Sequence, residues 1–198
     1  MNQQTFVGSS SNPVRTRDDA WLTRYYAVRA AFSVTWVAVA FSLGKVLTPL
    51  GALFLVIYPA WDALANLYDA ARNGGFRANL TQTFNAVVSA IVALAVIATL
   101  NSNIHAVLTV FGVWAALSGV LQLATGIRRW RKFSGQWPMI LSGAQSVFAG
   151  THFLQKAAAG AIPTAAEIAP YAAFGALYFA IAAIALAVAS RRHSARAV

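Results

Sequence analysis

Six stretches, each roughly twenty residues long and almost free of charge, follow one another along this chain, and such a stretch is what it takes to cross about 30 Å of hydrocarbon. They fall at residues 27–43, 46–67, 81–100, 104–127, 137–154 and 168–189. Lipid offers the backbone no hydrogen-bond partner, so a crossing segment has to satisfy its own N–H and C=O groups as a helix. The clearest case lies around the run Arg128-Arg129-Trp130-Arg131-Lys132, which separates the apolar residues after Phe111 from those after Trp137. Two apolar arms joined by a basic hinge with flanking tryptophans make a transmembrane hairpin, its cations and indoles at headgroup level. The expected fold is an all-α membrane protein of six transmembrane helices.

Composition narrows the function classes. Only 10% of the residues are charged, against about 25% in a soluble domain. Six helices with short connections use nearly the whole chain, which leaves no room for a separate soluble catalytic domain. Three segments are expected: a mobile, cytoplasmic Ser/Asn/Gln-rich stretch at 1–20, a transmembrane domain at 21–190, and a basic cytoplasmic tail at 191–198. The first of these has no short apolar core and no small-residue cleavage site, so no removable signal peptide is expected. Cysteine is absent, which removes disulfide and thiol chemistry.

The net charge of +10 invites a nucleic-acid reading, but the cations sit at helix ends, where membrane sorting puts them. Of the 15 lysines and arginines, only Lys45 and Lys156 fall in the turns on one side. All the others fall in the N-terminal segment, the loop after the second span, the central hinge or the C-terminal tail. The positive-inside rule therefore places both termini of this multi-pass protein in the cytoplasm.

The spacing of three glycine motifs suggests internal repetition. Leu50-Gly51-Ala52-Leu53, Phe111-Gly112-Val113-Trp114 and Phe174-Gly175-Ala176-Leu177 each open an even-numbered span, and Gly112 and Gly175 each precede an arginine by 16 residues. The expected organisation is three two-helix repeats of the same orientation, related by an axis along the membrane normal. The hairpin from Phe111 to Gly150, with Gly112-Val-Trp-Ala-Ala-Leu-Ser-Gly119, Arg128-Arg129 and Trp137-Pro-Met-Ile-Leu-Ser-Gly143, resembles the HdeD-like acid-resistance membrane proteins. The resemblance implies a small six-helix bacterial inner-membrane protein built of two-helix repeats, with a role in acid or membrane stress. Its motifs are structural glycines, tryptophans and arginines, and it implies no catalytic residue.

Few residues within the spans carry chemistry. Asp62 lies inside an apolar stretch, where a charge costs at least about 2.5 kcal/mol and calls for a partner or water. Counted from the turn near Lys45, Arg29 and Asp62 reach similar depth, so an intramembrane Arg29–Asp62 pair is expected, serving as a structural pin or as an ion or proton site. His105 and His152 near the opposite end are candidate pH sensors, because imidazole titrates near pH 6.5. Arg128, Arg129, Arg131 and Lys132 are candidate contacts for anionic lipid headgroups. Asn66, Asn85, Gln122 and Gln145 are expected to bond across helices, and Ser142, Ser146 and Gly150, spaced by four, to form a close-packing face.

No phosphate loop, dinucleotide fingerprint, nucleophile elbow or zinc-protease motif occurs in the sequence. An enzyme is not expected, and neither a metal nor another cofactor. The leading expectation is a non-enzymatic membrane protein acting through its contacts with the bilayer, with a second copy or with another membrane protein. The alternatives are a small ion or proton channel or transporter using Asp62, and an accessory subunit of a membrane complex. Topology is directly testable: alkaline phosphatase fused after Asn103 should be active in a bacterial host and silent when fused after Val198, and the reverse pattern would refute the assigned orientation.

Overall fold

The protein, seen in a computed structural model that describes residues 13–129 and 137–196, is built of six α-helices: α1 Pro13–Leu43, α2 Pro49–Arg72, α3 Leu80–Ser102, α4 Ala106–Arg129, α5 Trp137–Ala158 and α6 Ala165–Arg196. No strand occurs among the described residues. α1 begins at Pro13 and α6 ends at Arg196, so both helices run past the limits of the expected 21–190 domain.

The helix ends follow from local chemistry. Gly44, at φ 72°, adopts the left-handed conformation that closes α1, and its N–H donates to the Phe41 carbonyl at 3.1 Å. Thr48 then caps α2: its backbone is extended, and its hydroxyl accepts from the Gly51 N–H at 3.0 Å. The sequence suggested a span beginning at residue 46 and interrupted by Pro49, but Pro49 is where α2 begins. Proline suits the first helical position, since its missing N–H has no intrahelical partner there. Pro59 does lie inside α2, where it is fully buried.

Among the described residues, five of the six helices contain a stretch long and apolar enough to cross a membrane: Ala20–Leu43, Pro49–Arg72, Leu80–Ser102, Ala106–Ala124 and Ala165–Val188. α5 is the exception to the six expected spans. Gln145, His152, Gln155 and Lys156 dilute its apolar residues.

Contacts divide the chain into two units, one of residues up to Ser33 with those from Gly175 onward, the other Val34–Phe174. In the larger unit α2 pairs with α3, α3 with α4, and α4 with α5. Its fully buried side chains include Leu55, Val96, Val107, Leu108, Phe111 and Ile168. Large apolar side chains also point outward. Ile91 and Leu94 on α3, Leu117 and Val120 on α4, and Phe148 on α5 are exposed, Phe148 by 76%. In water such apolar faces would drive association; in a bilayer they meet their own solvent.

α4 and α5 pack backbone against backbone. Gly112 and Gly119 on one helix face Gly150 and Gly143 on the other. A Cβ on Gly119 would lie 2.6 Å from the Gly143 carbonyl oxygen, and one on Gly150 would lie 2.5 Å from the Ala116 nitrogen. Small residues permit this approach, which substitutes dispersion contact for the hydrophobic drive that lipid cannot supply between helices. The expected close-packing face is present: Ser142 donates to the Gln122 side-chain oxygen at 3.1 Å, and Ser146 and Gly150 are buried.

These distances rank the glycines. Gly150→Ala places a methyl against backbone and should cost about 3 kcal/mol, the upper part of the overpacking range. Gly160, at φ 71° with nothing within 4 Å of its added Cβ, should cost only about 1 kcal/mol when changed to Ala, the left-handed penalty alone. Unfolding in detergent followed by circular dichroism checks the order.

Candidate functional site

Asp62 anchors the best-defined polar cluster in the larger unit. It lies thirteen residues after Pro49 and ten before Arg72, which places it ~20 Å and ~15 Å from the two ends of α2 at ~1.5 Å per residue. That is mid-depth for a spanning helix. Its Oδ2 accepts from the Ser89 hydroxyl of α3 at 2.7 Å and from the Asn66 amide one turn along α2 at 3.0 Å. The same Asn66 nitrogen donates to the Asp62 backbone carbonyl at 2.8 Å. Both acceptors require the amide nitrogen, so the orientation of the Asn66 side chain is fixed. Ser89 is 1% exposed and Asn66 7%. A carboxylate gains most from donors where water is scarce, and here one donor comes from the neighbouring helix.

An aromatic layer adjoins this cluster. Trp36 donates its indole N–H to the Phe54 carbonyl at 3.0 Å and packs on Tyr58 at 4.8 Å between centroids. Tyr58 meets the edge of Trp114, which in turn meets Tyr171 of α6. Tyr171 shares a side-chain hydrogen bond with Ser146 of α5 and lies within the field of the Asp62 charge. Tyr and Trp rings offer apolar faces to the core while their polar tips find partners. Asp62, Ser89, Ser146 and Tyr171 thus bring polar groups from four helices into one region of the span.

Arg29 belongs to the other unit. It is 9% exposed, its Nη1 donates to the Tyr25 hydroxyl at 3.0 Å, and its guanidinium lies 4.1 Å from the centroid of the Phe179 ring. Tyr26 stacks on Phe179, and Trp21 stacks on Tyr25. Cation–π attraction is strongest where the cation has shed water, and this cage provides such surroundings. The expected Arg29–Asp62 pair would join the two units and remains a proposal. Phe179 was not anticipated, because nothing in a run of Ala, Tyr and Phe marks which ring faces an arginine on another helix.

The two histidines have different neighbours. His105 is exposed, and its Nδ1 lies 3.3 Å from the Ala161 carbonyl in the α5–α6 loop. A carbonyl only accepts, so that ring nitrogen carries the proton. His152 is also exposed and tilts against Phe153. No hydrogen bond joins the pair among the described residues. Beside them, Lys156 and Glu167 form a hydrogen-bonded ion pair across the α5–α6 loop, a pairing the sequence analysis did not draw. The only hint was that each carries the opposite charge to the other at the same end of the spans. In the basic hinge, Arg128 and Arg129 close α4, while Arg131 and Lys132 lie outside the described residues. Among the described residues, no three His, Asp or Glu side chains gather as metal ligands.

Residues 84–154 match a short repeat of unknown function, DUF308. The matched stretch begins within α3, covers α4 and ends within α5, so it does not coincide with one two-helix unit. No curated protein and no solved structure matches the chain.

The Ser89–Asp62 bond should be measurable. Ser89→Ala leaves a carboxylate oxygen short of a donor inside the span and should destabilise the protein by about 1–3 kcal/mol. Thr99→Ala on the same helix removes a hydroxyl that bonds only its own helix, to Ala95 and Val96, and should cost about 0.5 kcal/mol or less. Equal costs in denaturant unfolding would contradict the assigned role.

Proposed function

We propose that this is a non-enzymatic multi-pass protein of the HdeD-like kind, seated in a bacterial inner membrane with both termini in the cytoplasm, and that it works in acid or membrane stress through its contacts. Its partners would be anionic lipid headgroups at the Arg128–Lys132 hinge and a second copy or another membrane protein at its exposed helix faces. The observation that carries the reading is how Asp62 is used. The costliest residue in the spans is held by Ser89 and Asn66, which ties α2 to α3 and spends the charge on assembly. The DUF308 match over 84–154 supports the family kinship. The Arg29–Asp62 pair belongs to the same reading as a second tie.

One observation favours the alternative of an ion or proton path. Tyr171 of α6, hydrogen-bonded to Ser146 of α5, lies in the field of Asp62, and linked hydroxyls near an intramembrane carboxylate are the material of a proton relay. Reconstituted liposomes loaded with a pH-sensitive dye separate the two readings. After an external acid jump, wild-type protein should acidify the lumen no faster than protein-free liposomes. Faster acidification that is lost in Asp62→Asn would replace the proposal with the transport reading. In cells, expression should raise survival of acid shock equally for wild type and a folded Asp62→Asn variant.

A further inference from the structure

A groove of about 540 Å³ opens between the first turns of α2 and the last turns of α3. Leu47, Leu53 and Val56 form one wall, and Ile97, Leu100 and Ile104 the other. Leu53 and Ile97 stand roughly half exposed at its edges, so it opens sideways to the surroundings of the two helices. Its lining has two polar members, Thr48 and Asn101, both at the ends of their helices. Thr48 accepts from Gly51 and keeps its O–H to give. Asn101 donates to the Ile97 carbonyl and keeps its own oxygen to accept. A volume within the roughly 300–1,000 Å³ of ligand sites, apolar along its length and polar at one end, has the profile of a lipid.

The charge at that end selects the lipid. Lys45 lies in the α1–α2 turn, two residues before Leu47, and is exposed. Among the described residues it has no ion-pair partner. Lys156, the other cation at this end of the spans, is neutralised by Glu167. We propose that the groove holds one acyl chain of an anionic phospholipid, with the headgroup phosphate on Lys45 and the glycerol region beside Thr48 and Asn101. The chain gains little from leaving bulk lipid, because the solvent is equally apolar. Preference therefore comes from the headgroup, roughly fivefold for one lysine near the surface. This site is separate from the basic hinge after α4 and does not depend on the proposed function.

The absence of cysteine makes a local test available. A bimane fluorophore on Leu53→Cys reports the groove in vesicles of phosphatidylcholine containing brominated phosphatidylglycerol or, in parallel, brominated phosphatidylcholine. Brominated phosphatidylglycerol should quench as well as its zwitterionic counterpart does at about five times the concentration. Adding Lys45→Ala should abolish that difference, and adding Lys45→Arg should keep it. A label on Phe148→Cys, on the outer face of α5, should show no preference. Equal quenching by both lipids at the groove, or a preference that survives Lys45→Ala, would overturn the proposal. Disulfide dimers of Leu53→Cys before labelling, with no quenching by either lipid, would assign the groove to a second copy instead and overturn it as well.

Discussion

The contact of α4 with α5 at Gly112, Gly119, Gly143 and Gly150 is the constraint on which most of the larger unit depends. Among its described residues α5 has no stretch apolar enough to span, yet it lies along α4, which does. Carbonyl oxygens and amide nitrogens of the two helices approach so closely that a single added carbon would meet backbone at 2.5–2.6 Å. That approach hides one face of α5 from lipid and brings Gln122 within reach of Ser142. It also sets the position of Ser146, and through it the partner of the Tyr171 hydroxyl. Without glycine at these places the interhelical distance would grow, and the polar side chains of α5 would lose the partners that offset their cost in a bilayer.

A second kind of tie joins α2 to α3. There the attraction is electrostatic: one carboxylate oxygen accepts from Ser89 and Asn66 near the middle of the span. Charge inside a membrane is expensive, and each donor lowers that expense only while its helix stays in place. The two ties therefore differ in how they fail. The glycine contact fails by adding volume, whereas the Asp62 contact fails by removing a donor and leaving a polar group alone in lipid. Trp114 of α4 meets the rings of Tyr58 on α2 and Tyr171 on α6 in T-shaped contacts between the helices.

Lipid as solvent accounts for what would otherwise look like faults of folding. Leucine, isoleucine and phenylalanine face outward along α3, α4 and α5, and much of each spanning window is unburied by protein. Cations cluster where spans end. The guanidinium of Arg29, at 9% exposure, donates to the Tyr25 hydroxyl and rests on the Phe179 ring, a way of keeping a charge near apolar material. Lys156 is neutralised by Glu167, whereas Lys45, in the turn before an apolar groove, has no ion-pair partner among the described residues.

Much of this was legible from the sequence. Runs of about twenty uncharged residues define helices because lipid leaves the backbone no other way to pair its polar groups, and five of the six expected spans satisfy that test in the structure. The singularity of Asp62 and the small face of Ser142, Ser146 and Gly150 were equally visible, since cost and size belong to residue types. Tertiary structure decided what those residues touch. Counting residues along two helices gives depth but not rotation, so Ser89 could not be named as a partner of Asp62. Pro49 reads as an interruption until Thr48 is found capping the helix that it opens. Glu167 and Lys156 meet because a loop returns α6 beside the end of α5. In each case the sequence supplied a residue with a need, and the packing of helices around one another chose the partner that met it.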